Sequence, residues 1–169
     1  MPEILDMPQE GLLEADSMQG KYLTFLLARE GYGLEIRYVT EIVGIQKITM
    51  VPDMPEHVKG VLNLRGKVIP VIDVRLRFNL SERDYDDRTC IIVVDVDANS
   101  VGLVVDKVNE VIDIPMGDIE PAPMSDSKSG NSYIRGMGKV EQQVKILLDV
   151  ERLINDEEWQ EYETEEEGV

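Results

Sequence analysis

The chain has 169 residues, of which 34 are acidic and 17 basic, giving a formal net charge of −17 at pH 7. This balance argues against a nucleic-acid-binding protein, because phosphate contacts need clustered Lys and Arg. No stretch approaches the ~20 apolar residues that span a bilayer. The first residues form neither a basic segment nor a hydrophobic run, so we expect a cytosolic protein. The single cysteine, Cys90, excludes an intrachain disulfide.

The acidic excess lies mainly at the two ends of the chain. Residues 1–20 hold five acidic residues and residues 156–169 hold eight, and neither segment contains Lys or Arg. The 21 acids that remain face all 17 bases within residues 21–155. We therefore predict one folded domain over residues 21–155, flanked by acidic flexible segments at residues 1–20 and 156–169.

The middle of the chain contains an internal sequence repeat. Residues 23–45 align with residues 92–114 without a gap, at an offset of 69 positions. The matched pairs include Gly33 with Gly102, Val39 with Val108, Glu41 with Glu110 and Ile45 with Ile114. After Pro121 the second copy carries four extra residues, which places Val61 on Ile134, and three more place Ile72 on Leu148. A period near 70 residues predicts two related small barrels in tandem.

In chain order, the apolar runs predict short strands at residues 22–27, 68–74, 91–96, 101–105 and 144–150. Turn residues at 31–33 and at 97–100 predict that each half begins with a hairpin. Pro70 places its strand at an edge or a bulge, because proline cannot donate to the ladder.

Helical signals are short and each follows the last strand of a half. They cover Val74–Phe78 and Val150–Ile154. Residues 121–131, rich in Ser, Pro, Asp and Gly, predict a flexible loop. A barrel of ~65 residues is marginal alone, so we expect the two barrels to share a hydrophobic seam. A groove between two such bodies would suit an amphipathic helix of a partner.

Catalytic signals are weak. His57, the only histidine, stands in a polar segment and is predicted to be an exposed loop residue without a catalytic partner. Asp95, Asp97 and Asn99 imitate the start of a calcium loop, but Ser100 replaces the required glycine, so a β-turn is the better interpretation. No ligand cluster for zinc is present in the sequence.

Charged residues at unexpected positions are the stronger candidates for function. Five bases lie within 19 residues, namely Lys59, Arg65, Lys67, Arg75 and Arg77. Such a patch would favour an acidic partner. Arg65 could project from a turn as an interface anchor, or could form an internal salt bridge with Asp73 or Asp106. Glu41 and Glu110 stand where alternation predicts an apolar group, so either a bulge turns each outward or each pairs with a base.

At these residues a family resemblance becomes specific. The segments GVLNLRGKVIPVIDVR at 60–75, VGLVVDKV at 101–108 and YIRGMGKV at 133–140 resemble the CheW family of chemotaxis coupling proteins. The resemblance extends over about residues 20–155. It implies a mainly β fold of two SH3-like five-stranded β-barrels in a pseudo-twofold arrangement, with a short helix after each barrel. It further implies one subdomain of about residues 28–84 and another of about 85–155 completed by the strand 21–27.

The same resemblance implies a non-enzymatic adaptor with no cofactor and no metal. Its expected partners are the cytoplasmic tip of methyl-accepting chemoreceptors and the regulatory domain of the histidine kinase CheA, at membrane receptor arrays and without insertion into the membrane. Motif positions give the receptor-binding candidates Val39, Glu41, Gly60, Arg65 and Val108. The kinase-binding candidates are Gly136 and Gly138, beside the loop Ser125–Ser132. An adaptor of a non-flagellar sensory array fits the same residues.

Overall fold

The computed structural model describes residues 18–122 and 133–154. The predicted terminal segments, apart from residues 18–20, and nearly all of the predicted loop 121–131 lie outside the described residues. Within these residues there are eleven strands, β1 Lys21–Leu27, β2 Glu30–Glu35, β3 Val39–Gly44, β4 Val58–Leu64, β5 Lys67–Asp73, β6 Cys90–Val96, β7 Asn99–Val105, β8 Lys107–Asp113, β9 Ile119–Glu120, β10 Ile134–Val140 and β11 Gln143–Leu148. The same described residues also contain two short α-helices, α1 Val74–Arg77 and α2 Val150–Ile154, and 3-10 turns at Ile36–Tyr38 and Met116–Asp118.

The strands form two sheets, each curved into an SH3-like barrel. The first barrel has the strand order β3-β6-β7-β5-β4, and the second has the order β8-β1-β2-β11-β10-β9. The two-residue β9 pairs with β10 where the first barrel has only an isolated bridge between Thr49 and Val61. Each barrel therefore contains five long strands, as predicted.

The two halves of the sequence exchange their first hairpins. Strand β1 pairs with β8 and β2 pairs with β11, whereas β6 pairs with β3 and β7 pairs with β5. The predicted division at about residue 85, with only the strand 21–27 crossing, does not match this pairing. Strand β2 also belongs to the second barrel, and β6 and β7 belong to the first. The whole hairpin crosses because its two strands are joined by a two-residue turn and cannot be separated.

Strand register confirms the pseudo-twofold relation and corrects part of the predicted alignment. Leu147 pairs with Gly33 in one barrel and Val71 with Gly102 in the other. In the last strands, Gly60 faces Val71 and Gly136 faces Leu147, so the offset there is 76 positions. Val61 consequently corresponds to Met137 and not to Ile134. All seven extra residues of the second half precede β10.

Three apolar clusters fill the interior. One cluster lies inside the first barrel and another inside the second. The largest cluster, here called the seam, joins strands of both barrels with the two helices and confirms the predicted shared core. Strand β6 shows how the residues divide, since Ile91 and Val93 face the first barrel's own core while Ile92 and Val94 face the seam. Burial on both faces explains why residues 91–94 of this strand are all apolar.

The first hairpin turn of each half uses residues in the left-handed region without glycine. The first turn is Ala28-Arg29, with φ of 51° and 72°, so the predicted turn at Gly31 and Gly33 is wrong by about three residues. Gly33 lies inside β2 instead, where a Cβ would make a tight contact of 3.1 Å with Leu147 Cδ2 across the parallel pair. The equivalent turn in the second copy is Asp97-Ala98, within the predicted residues 97–100.

Of the two settings predicted for Pro70, the edge strand is wrong, whereas a bulge lies close by, because the register shifts between Val58 and Gly60 just beyond its partner Val61. Strand β5 lies between β7 and β4. The pairing of β5 with β7 begins only at Val71, so Pro70 lies just before the ladder in which its missing N–H would have been required. The predicted helices are confirmed, with α1 ending at Arg77, one residue early.

Replacing Ala98 by glycine should stabilise the protein. An L-residue at positive φ is strained by about 1–2 kcal/mol, and glycine relieves that strain while losing ~0.5–1 kcal/mol through its more mobile unfolded chain. We expect Ala98→Gly to raise the free energy of unfolding in urea by about 0.5–1 kcal/mol. Ala122→Gly is the control because Ala122 is outside the positive-φ set. Equal effects of both variants would contradict this explanation.

Candidate protein-interaction site

Two of the predicted interaction residues, Glu41 and Arg65, contact each other at the surface of the first barrel. Arg65 Nη1 donates to Glu41 Oε2 at 2.7 Å, and Nη2 donates to Oε1 at 2.6 Å. This is the bidentate geometry in which a planar guanidinium matches a carboxylate. The Arg65 side chain is 72% exposed and that of Glu41 is 23% exposed. The predicted alternatives of Asp73 or Asp106 as internal partners of Arg65 are therefore wrong.

Glu41 reaches the surface because of a bulge in β3. Val39 pairs with Val94 and Glu41 with Val93, so Thr40 is the extra residue. The Thr40 hydroxyl donates to the Val93 carbonyl at 3.1 Å. The sequence left two explanations for a carboxylate at this position, a bulge or a basic partner. Both apply.

Arg65 is presented by the tight turn between β4 and β5. Arg65 and Gly66 have φ of 53° and 84°, and the Gly66 amide donates to Asn63 Oδ1 at 2.9 Å. Hydrogen bonds from Arg65 lower the pKa of the Glu41 carboxyl, although partial burial raises it. A lowered pKa keeps the pair charged at neutral pH, and the pair is lost only as pH falls through that pKa. Because the pair is exposed, its contribution to stability is small.

Val39 and Val108 occupy equivalent positions in the two barrels. Each lies beside a register shift, Val39 opposite Val94 and Val108 opposite Phe25. Both side chains are half-buried and pack against the seam. The two candidates belong to different barrels. Each contributes part of its side chain to the seam and leaves the rest exposed at the surface. Only Val39 lies on the strand that carries Glu41.

Gly60 is buried in β4 and is a packing residue. Its φ is +147°, and a Cβ at this position would overlap the carbonyl of Thr49, the residue that bridges to Val61. Glycine is required here for the close approach of two backbones. Gly60 can therefore influence a surface only through the position of β4.

Two exposed apolar side chains of the first barrel were not predicted from the sequence. Ile42 is 42% exposed beside Glu41, and Val68 is 62% exposed on the strand that leaves the Arg65 turn. Alternation alone does not distinguish an outward-facing valine from an inward-facing one in a short apolar run. The ion pair defines the surface called here the Arg65 face, comprising Glu41 and Arg65, and Ile42 and Val68 are exposed elsewhere on the same barrel.

The predicted basic patch is largely occupied by partners within the chain. Lys59 pairs with Glu82 at 2.8 Å, and Lys67 donates to Ser100 Oγ at 3.1 Å. Arg75 forms a fork with Asp106, and the Arg77 guanidinium lies 4.4 Å from the centroid of the Tyr133 ring. These basic side chains are therefore held by contacts within the chain, and the patch does not consist of unpaired cations.

The prediction that His57 is exposed is wrong. The residue is 6% exposed, and its carbonyl accepts the Asp73 amide at 2.8 Å, which fixes the segment before β4 against the end of β5. Asp97 lies in a β-turn as interpreted, and Asp95 Oδ1 accepts the Ser100 hydroxyl at 2.5 Å. Within residues 18–122 and 133–154, no group of three or more His, Cys, Asp or Glu side chains could hold a metal ion.

Comparisons with known proteins agree with this geometry. The family model described as "CheW-like domain" matches residues 21–158. The chemotaxis protein CheW of Klebsiella aerogenes is 36% identical over 146 residues, covering 86% of this chain and 88% of the relative. CheW of Bacillus subtilis is 34% identical over 137 residues, covering 81% and 88%.

The chain belongs to the CheW-like family. The crystal structure of the scaffolding protein TtCheW from Thermoanaerobacter tengcongensis superposes with a TM-score of 0.73 at 38% identity, covering 80% of this chain and 87% of that one. In the part of the chain that the structure describes, no helix is long and apolar enough to cross a membrane.

The two glycines nominated for kinase contact in this family member are buried in β10. A Cβ at Gly136 would lie 2.9 Å from the Glu120 carbonyl, and one at Gly138 would lie 3.0 Å from Ile114 Cδ1. They allow β10 to pack against β9 and the second barrel's core. Exposed neighbours such as Lys139, and not the glycines themselves, are available to a partner. The loop Ser125–Ser132 lies outside the described residues.

A pair of glycine variants tests whether Gly60 is a packing residue. Gly60→Ala should destabilise the fold by about 2–3 kcal/mol or more, because the new methyl group meets backbone at a strained φ. Gly44→Ala in the same barrel has open space around it and should change stability by less than about 0.5 kcal/mol. Urea unfolding measures both. An unchanged Gly60→Ala midpoint with reduced partner binding would instead identify a direct contact.

Proposed function

We infer that this chain is a non-enzymatic scaffold that couples methyl-accepting chemoreceptors to the histidine kinase CheA in chemotaxis signalling arrays. Membership of the CheW-like family and relatives named chemotaxis protein CheW support this function. The observation that carries it to a site on this chain is the exposed bidentate pair of Glu41 and Arg65.

The Arg65 face is suited to a helical partner such as a receptor tip. A guanidinium has five N–H donors, and the fork with Glu41 uses two of them. Because Glu41 fixes the fork, little side-chain entropy is lost when a partner accepts from the remaining donors. Ile42 and Val68 offer exposed apolar area on the same barrel. An amphipathic helix with one carboxylate or carbonyl beside its apolar stripe has the complementary chemistry.

The kinase-facing surface is assigned to the end of the second barrel. Val144 is 56% exposed opposite Lys139 in the β10–β11 hairpin, and Met116 is 82% exposed in the turn before β9. These side chains surround the strand that contains Gly136 and Gly138. Apolar groups with a flexible methionine are common where one protein surface receives another.

The proposed mechanism is geometric. A body of two barrels, extending over residues 21–155 with acidic segments on either side, holds receptor and kinase in one relative orientation at the array. It shifts the kinase equilibrium through different affinities for the states of its partners. A coupling free energy of ~1–3 kcal/mol would change kinase activity about 5- to 150-fold. No cofactor is needed.

Substitution of Arg65 tests the receptor-binding site. Arg65→Ala removes a fixed guanidinium and should weaken binding to receptor-bearing membranes by roughly tenfold or more, as expected for an interface anchor. Its thermal midpoint should stay within about 2 °C of wild type, because the ion pair is exposed. Co-sedimentation with the membranes, with and without CheA, measures binding while kinase autophosphorylation is followed.

Lys67→Ala is the matched control for this experiment. Lys67 lies two residues after Arg65 and carries the same charge, but its side chain donates a hydrogen bond to Ser100 and not to Glu41. The Lys67→Ala variant should retain binding. Equal losses in both variants would indicate a general charge effect, and a lowered midpoint with intact binding of Arg65→Ala would indicate a purely structural ion pair. If omission of the wild-type chain leaves kinase output unchanged, the proposed function fails.

A further inference from the structure

The chain passes between the two barrels twice, and the two crossings are equivalent by the internal repeat. The first crossing is the 3-10 turn Ile36–Tyr38 between β2 and β3. The second is the single residue Asp106 between β7 and β8. The offset of 69 positions places Arg37 on Asp106. Any relative movement of the barrels must change backbone angles at these two places.

At the second crossing, Asp106 joins both barrels through its side chain. Its Oδ1 accepts Arg75 Nε and its Oδ2 accepts Arg75 Nη2, both at 2.8 Å, from the helix that follows the first barrel's β5. Oδ2 also accepts the Ala28 amide at 3.0 Å, and the Asp106 amide donates to the Leu26 carbonyl at 3.1 Å, both in the second barrel's β1–β2 hairpin. One carboxylate thus contacts both barrels at the point where the chain crosses.

This junction is shielded from solvent. The Arg75 side chain is 13% exposed and that of Asp106 is 10% exposed. Burial raises the pKa of Asp106, but the hydrogen bonds from Arg75 and Ala28 outweigh it and lower the pKa overall. Arg83 Nη1 adds a further contact at 3.3 Å. Loss of one partner of a buried charge pair leaves an uncompensated charge, so this junction resists opening.

The first crossing has residues of opposite charge at the two equivalent positions. The offset of 76 positions places Glu151 of α2 on Arg75, so Arg37 and Glu151 replace Asp106 and Arg75. They are connected through Tyr38, whose hydroxyl donates to Glu151 Oε2 at 2.5 Å and accepts Arg37 Nη2 at 3.0 Å. Burial, followed by the bond to Glu151, raises the pKa of Tyr38 to about 12. The hydroxyl therefore keeps its proton.

The two junctions differ in strength. The Arg37 side chain is 55% exposed, and Arg37 divides its donors between Glu35 and Tyr38. Exposed pairs are screened by salt and contribute little to stability, whereas the enclosed fork of Arg75 and Asp106 is screened much less. The barrels are thus held firmly at one crossing and weakly at the other.

We propose that Arg75 and Asp106 are positioning residues that set the angle between the two barrels and so decide how the Arg65 face and the second barrel's end are presented together. This inference rests on the proposed function only in its consequence for coupling. The geometric part concerns the isolated chain, and it can be tested without receptor or kinase.

The angle can be measured with a pair of spin labels. In a Cys90→Ser background, cysteines at Val68 and Val144 label equivalent exposed positions on β5 and β11, one in each barrel. Asp106→Asn keeps the shape and the acceptor for Ala28 but loses the charge, while Arg75→Lys keeps the charge but loses the fork. Double electron–electron resonance measures the distance between the two labels. For both variants, the distance distribution should be broader than that of the labelled parent or shifted from it.

Glu151→Gln is the matched control, since it removes the charge at the position equivalent to Arg75. It should leave the distance distribution unchanged. A parental distribution in both test variants, with or without lower thermal stability, would overturn the proposal, as would the same change in Glu151→Gln. If Asp106→Asn does not fold, the charge-conserving Arg75→Lys decides the result.

Reconstituted arrays test the consequence for signalling. Both test variants should keep receptor binding within about twofold of wild type, because the Arg65 face is intact, but should lose about fivefold or more of receptor control over the kinase. If the wild-type chain gives no receptor control, the proposed function fails whatever the spin labels show. If wild type couples and a variant with an altered distance couples equally well, the positioning role is wrong.

Discussion

The fold depends on the exchange of hairpins between two copies of one sequence unit. Strands β1 and β2 complete the second barrel and β6 and β7 complete the first, so neither half can close its barrel alone. The seam follows from this exchange, because β6 presents Ile91 and Val93 to its own barrel and Ile92 and Val94 to the shared core. A body held by swapped strands and a common core is stiffer than two domains on a linker.

Local sequence pattern predicted the elements better than their partners. The run at residues 91–94 is apolar whichever barrel it joins, so its strand could be predicted while its sheet could not. The first turn was misplaced because Ala28 and Arg29 adopt positive φ without glycine, the usual turn signal. His57 was misplaced because its burial comes from β4 and β5 closing around a segment that is polar in sequence.

The residues of the candidate site were predicted from the sequence, but the contact between them was not. Glu41 was identified because it breaks the alternation of β3, and Arg65 because it stands at a turn with glycine. Their contact depends on closure of the first barrel, which brings the β4–β5 turn over β3, and sequence spacing carries no signal for it. The resemblance to a family supplied Gly60, Gly136 and Gly138, whose burial shows that a motif can mark packing as readily as contact.

Comparison of the two barrels explains how a duplicated unit can serve two partners. The positions equivalent to Glu41 and Arg65 are Glu110 and Glu141, so the second barrel places a carboxylate at the turn where the first has a guanidinium. The ion pair of the Arg65 face therefore cannot form there. Val68 and Val144, by contrast, remain exposed at equivalent places. The shared core conserves the shape of both barrels, and the reversed turn charge gives each a different electrostatic preference, which is what discrimination between two partners requires.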